Sequence, residues 1–81
     1  MKVSVQRVKP NKRVDQSHVD HLVKVIAAGR ALLPIDVYEN KQGVFCILDG
    51  HHRFAAYSAL GFTEVEIEVA STRLLKVPGE N

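Results

Sequence analysis

The chain has a single cysteine, Cys46, among its 81 residues, which excludes an internal disulfide. It has no apolar run approaching the roughly 20 residues that a membrane-spanning helix requires. Its first residues, Met1-Lys2-Val3-Ser4-Val5-Gln6-Arg7, lack the hydrophobic core of a signal peptide. Charge of one sign is also missing: 11 Lys and Arg against 9 Asp and Glu leave a net charge of +2. That excess is too small to announce a nucleic-acid binder, although it is compatible with a local basic patch. There is no internal repeat and no low-complexity segment. Together these absences predict a cytoplasmic protein, or part of a delivered toxin, with no membrane association. They leave the oligomeric state open.

What is present is the composition of an ordinary globular domain, 46% hydrophobic and 25% charged. Eighty-one residues allow one domain with a thin core. Residues 1–81 read as that domain, with a core of about 3–69 and a tail or short cover over 70–81. Val3, Val5 and Val8 suggest a half-buried strand, ended by Pro10-Asn11. Lys9, Lys12 and Arg13 form a small basic cluster beside that turn. Val19, Leu22, Val23 and Ile26 recur at helical spacing. They predict a helix from about Ser17 to Ala28, started by a capping box of Ser17 and Asp20 or by Asp15. Ile35 to Glu39 alternates as a strand, Asn40 to Gly43 is a turn, and Val44 to Leu48 returns as its hairpin partner. The continuous apolar character of that partner predicts a central strand covered on both faces. A second helix is expected from about His52 to Leu60, with Gly61 as its stop. Val65-Glu66-Ile67-Glu68-Val69 then alternates, so Glu64, Glu66 and Glu68 should form a solvated face. The order β-α-β-β-α-β defines a small α+β single domain.

The organising stretch is Asp49-Gly50-His51-His52-Arg53, set where a buried strand hands over to a helix. The first amides of a helix have no partner within it, and its dipole is positive there. Such a junction seats an anion. Gly50 lets phosphate oxygens approach the backbone, or supplies the backbone angles of a tight turn. Arg53 offers a bidentate fork for a phosphate. His51 and His52 offer further hydrogen bonds, stronger when protonated, with one of them open to a structural role. Asp49 has two readings: a helix N-cap, or a carboxylate that holds Mg2+ or acts as a general base. His18 and His21 share a face of the first helix. With His51 and His52 they count four imidazoles, but at no established zinc spacing. Tyr38 and Tyr57 read as packing residues.

Leu32-Leu33-Pro34-Ile35-Asp36-Val37, an apolar strand, Asp49-Gly50-His51-His52-Arg53-Phe54-Ala55-Ala56 and Leu60-Gly61-Phe62 together resemble the ParB/sulfiredoxin superfamily. The resemblance covers about Val3 to Val69. It implies a domain whose Gly-x-x-Arg turn cradles the phosphates of a nucleotide, with Pro34 and Ile35 lining base or ribose. The superfamily includes CTP-binding partition proteins, ATP-using sulfiredoxins, free-serine kinases and members called nucleases. The Asp-Gly-His-x-Arg form looks most like the kinase and toxin-type branches. His51 stands where sulfiredoxins place their catalytic cysteine, so sulfinic-acid reduction is not implied.

The expectation is therefore a nucleotide-phosphate-binding domain for a nucleoside di- or triphosphate, with Mg2+ as an accompanying ion. Its chemistry would be phosphate-bond hydrolysis or transfer. Asp49 and His52 are the expected catalytic residues. Gly50, His51, His52, Arg53, Pro34 and Ile35 are the expected binding residues, and Asp49 is the expected metal ligand. The alternatives are a DNA or RNA nuclease, as in a toxin catalytic domain, and a non-catalytic interaction module.

Overall fold

The computed structural model describes residues 1–70, so the expected tail or cover over residues 71–81 lies outside the described residues. The elements are β1 (Lys2–Ser4), a short 3-10 turn (Val5–Arg7), β2 (Val8–Lys9), α1 (Gln16–Ala27), β3 (Ile35–Glu39), β4 (Phe45–Asp49), α2 (His51–Ala59) and β5 (Glu64–Val69). The five strands form one sheet in the order β1-β5-β3-β4-β2. β1 pairs antiparallel with β5, and β5 parallel with β3. β3 pairs antiparallel with β4, and β4 parallel with β2.

The expected first strand is thus two strands. Ser4 Oγ accepts a hydrogen bond from the Gln6 amide at 3.2 Å, a local bond that competes with the extended backbone and starts the 3-10 turn. The three residues Val5–Arg7 then carry the chain from one edge of the sheet to the other, which requires the sheet to curl.

Alternation along the strands sends one set of side chains inward. Val3, Val8, Ile35, Val37, Phe45, Ile47, Val65 and Ile67 form the core, with Phe54 of α2 packed among them. Ile35, Val37, Ile47 and Ile67 are the largest fully buried side chains, each worth about 2 kcal/mol of apolar burial. Glu64, Glu66 and Glu68 face solvent, as their alternation requires. β4 departs from expectation. Phe45 and Ile47 are buried, but Cys46 is half-exposed and Leu48 is 37% exposed. The strand is covered on one face only, where Phe54 of α2 joins Phe45 and Ile47 in the core, and an apolar run alone does not count layers.

α1 starts one residue before the capping-box reading. Asp15 is its N-cap, accepting from the Ser17 amide at 3.0 Å and the Ser17 hydroxyl at 2.8 Å. These bonds hold the Asp15 carboxyl below its ordinary pKa. α1 packs against α2. Val19 is buried while Leu22, Val23, Val25 and Ile26 are half-buried, so the predicted stripe faces inward.

Candidate functional site

The site is built at the β4–α2 junction. Gly50 is the N-cap of α2, with φ +108° in the left-handed region, where a side chain is strained and glycine is at ease. Space demands glycine there too. A Cβ on Gly50 would meet Arg53 Nη2 at 3.0 Å and its Cζ and Nε at 3.1 Å, so the guanidinium lies over the bare Cα. No side chain of the described residues caps this helix. The first turn closes with the Phe54 amide donating to the Gly50 carbonyl at 2.9 Å. The amides of His51, His52 and Arg53 precede that closure and have no carbonyl one turn back.

Asp49 is therefore not the cap. It is the last residue of β4, and Gly50 takes the cap position with no side-chain bond to the helix amides. Its carboxylate accepts from Arg53 Nη2 at 3.2 Å, with the Arg53 side chain 18% exposed and that of Asp49 79% exposed. Arg53 Nη1 also donates to the carbonyls of Pro34 at 2.8 Å and Leu33 at 3.2 Å. One guanidinium thus ties the connector between α1 and β3 to the first turn of α2.

The two histidines turn toward the loop that precedes α1. His51 is buried, 8% exposed. Its Nε2 lies 2.8 Å from Asn11 Oδ1, to which the Nε2–H tautomer donates, and 3.3 Å from the Asn11 amide. Burial pushes its pKa down, reinforced by the positive charge of Lys12 and by His52, against the opposing effect of Asp49. The His51 side chain is thus turned to Asn11 and is not part of the cavity lining. His52 Nε2 accepts from the Asp15 amide at 3.0 Å, which leaves Nδ1 to carry the ring proton. The nitrogen that a base at His52 would use is thus occupied by a backbone donor. The His52 ring stacks against His18 with centroids 4.3 Å apart and planes inclined by 30°.

A cavity of about 280 Å³ opens in front of this junction, lined by His18, Leu22, Asp49, Gly50, His52 and Arg53. It brings together five of the residues that the sequence singles out: His18, Asp49, Gly50, His52 and Arg53. Pro34 stands behind Arg53 through its carbonyl. Ile35 is fully buried and its side chain belongs to the core. A larger cavity of about 540 Å³ lies at the far end of α2 beside Tyr57, Leu60 and Phe62. Its ionisable lining is Lys2 against Glu64 and Glu66, a net acidic set that disfavours an anion. Among the described residues no group of three His, Cys, Asp or Glu side chains could hold a metal ion, and no helix is long and apolar enough to cross a membrane.

Sequence reasoning expects one of His18 and His21 to reach the nucleotide, and His18 is the one that lines the cavity; it misses Asn11, Asp15 as a partner of His52, and Leu22 in the cavity wall. All are polar or apolar partners about 30 to 40 residues away in the chain, and no local spacing signals such a tie.

The family model described as ParB N-terminal domain matches residues 1–77. Comparison with curated proteins gives no match. Among solved structures, a free serine kinase in complex with AMP is similar, with a TM-score of 0.79 at 20% identity, over 88% of this chain and 30% of that one. A mutant of a free serine kinase in complex with ADP gives the same figures. The chain thus spans about a third of the length of those kinases. Sulfiredoxin from Arabidopsis thaliana has a TM-score of 0.73 at 25% identity, over 88% of this chain and 85% of that one. The C-terminally truncated chromosome-partitioning protein ParB from Caulobacter crescentus, complexed with CTP-gamma-S, has a TM-score of 0.75 at 20% identity, over 88% and 43% of the two chains.

Proposed function

The chain belongs to the ParB N-terminal domain family, and from that premise we propose that its Gly50–Arg53 turn binds the phosphates of a nucleoside di- or triphosphate. The observation that carries the reading is the uncapped start of α2, opening on a cavity beside a guanidinium. The amides of His51, His52 and Arg53 are donors without helical acceptors, aligned with a positive dipole end. Arg53 adds charge, and its bonds to the Leu33 and Pro34 carbonyls pre-organise it. An anion that enters meets fixed donors and little reorganisation. The cavity of about 280 Å³ is at the small end for ligand pockets, which suits phosphates with the nucleoside lying outside. The nucleotides held by the structurally similar kinase and partition protein support the same ligand class.

In phosphate-bond hydrolysis or transfer, these donors would neutralise charge on the non-bridging oxygens. Asp49 is the exposed carboxylate at the rim, with a side chain placed to take a proton or to face a phosphate-bound Mg2+.

The test is a titration of the protein with AMP, ADP, ATP and CTP, with and without Mg2+, followed by amide chemical shifts and by thermal unfolding. The largest shifts are expected at the amides of His51, His52 and Arg53. A ligand at 100 times its Kd should add about 2.7 kcal/mol of stability. Shifts confined to the Tyr57–Phe62 end, or no response to any nucleotide, would overturn the reading. Binding of polynucleotide alone, with steep salt dependence, would move the site to a nuclease-type role with Lys12 and Arg13 extending the grip.

A further inference from the structure

We propose that His18, and not His52, is the imidazole that meets the ligand's terminal phosphate, and that binding draws a proton onto it. This rests on the phosphate-binding reading above. The two rings stack at 4.3 Å, and both line the cavity with Gly50 and Arg53, yet their hydrogen bonding differs. His52 Nε2 accepts from the Asp15 amide at 3.0 Å. A proton on that nitrogen would set donor against donor and break the tie that holds the loop before α1. The ring of His18 makes no hydrogen bond among the described residues and is exposed. Stacking therefore holds its plane while both nitrogens stay free. One ring positions and the other is able to change its charge.

The surroundings supply a reason for it to do so. Across the cavity from His18 stand Asp49 and Arg53, already paired with each other at 3.2 Å. On its own helix are the cap Asp15, Asp20 and His21. Asp15 is engaged by Ser17, and Asp20 accepts from Gln16. The charge of Lys12 is felt at His51, on the other side of His52. A phosphate dianion adds negative charge to a place where Arg53 is already partly compensated by Asp49. A neutral imidazole in contact with that dianion gains a partner by taking a proton. The arrangement thus favours a terminal phosphate, which carries the second charge, over a phosphodiester, which does not.

The experiment is calorimetry of ADP binding at pH 7 in buffers of different ionisation enthalpy, repeated from pH 6 to pH 8. The wild-type protein should take up a clear fraction of a proton more per ADP than His18→Gln. The affinity gap between the two should widen several-fold as pH falls from 8 to 6. The titration of free ADP is common to both proteins and cancels in the difference; that of bound ADP is coupled to the charge at His18 and is counted in the linked uptake. His21→Gln should match the wild type. A His18→Gln protein that binds more weakly but takes up as many protons would overturn the proposal, because it would reduce His18 to a packing partner of His52. Failure of ADP to bind the wild type at any pH would overturn the phosphate reading itself, and the proposal with it.

Discussion

At the start of α1 the Asp15 carboxylate takes bonds from the amide and the hydroxyl of Ser17; at the start of α2 no side chain of the described residues does the same, and a glycine with φ +108° stands there instead. One helix closes its own end. The other leaves its end open, and side chains that leave that end are used to hold the closed one: His51 reaches Asn11 and His52 reaches the Asp15 amide. A capping side chain in place of this glycine would add only a few tenths of a kcal/mol, so the open end costs the fold little. Under the proposed phosphate-binding reading, the contrast separates a terminus that serves the fold from one open to a ligand.

The strongest way to break this contrast is Arg53→Ala. Three charged hydrogen bonds from a mostly buried guanidinium are lost, so stability measured by urea denaturation should fall by roughly 2 to 3 kcal/mol. Binding of ADP should vanish with them. Gly50→Ala should cost somewhat less, roughly 1 to 2 kcal/mol, because the new Cβ is strained at its φ and presses on Arg53 at 3.0 Å. Nucleotide affinity should drop more than tenfold in calorimetry. Retained affinity would show that the close approach over Gly50 is irrelevant to the open end.

Asp15→Ala attacks the closed end. Helix content by circular dichroism and the thermal midpoint should both decrease, and Asp15→Asn should restore them, since asparagine caps equally well. The depressed Asp15 pKa gives the same direction by acid. The contribution of this carboxylate is complete above its unfolded pKa near 4 and is lost as pH falls through the lower folded value. His51 acts at a higher pH. Its folded pKa is pushed down, so between the folded value and the ordinary value near 6.5 the unfolded chain binds the extra proton. Stability should therefore be full above that range and decline as pH falls through it. His51→Gln should remove this part of the pH profile. The smallest effect is expected from Asp49→Asn. Its side chain is 79% exposed, and unfolding should shift by less than about 0.5 kcal/mol. A larger loss would return Asp49 to a structural role at the start of α2.

Much of the fold is legible in the order of its residues. Alternation marks β3 and β5, and the 3.6-residue stripe marks α1. Gly61 ends α2 where expected, with a positive φ, and Gly29 follows α1 in the same conformation. What is not legible has physical causes. Val3 to Val8 reads as one strand because its valines alternate, while Ser4 and Gln6 make a local bond that the pattern does not register. Asp49 reads as a cap because Asp-Gly before a helix has the right chemistry. The left-handed Gly50 moves the cap position one residue along. His51 and His52 look alike beside each other, yet one is buried against Asn11 and the other stacks on His18. Adjacent positions at a helix start point about 100° apart, and only the packed α1 loop decides what each meets. The motif itself is visible. The division of labour within it is set by residues remote in sequence.

The detour at Val5–Arg7 also bears on how the molecule meets its own kind. Among the described residues, the outermost rails of the sheet are only three and two residues long, Lys2–Ser4 and Val8–Lys9. A stray extended peptide seeking backbone partners finds almost no footing at either border. By splitting one ribbon and sending its halves to opposite margins, the chain shields itself against stacking rim to rim with neighbouring copies.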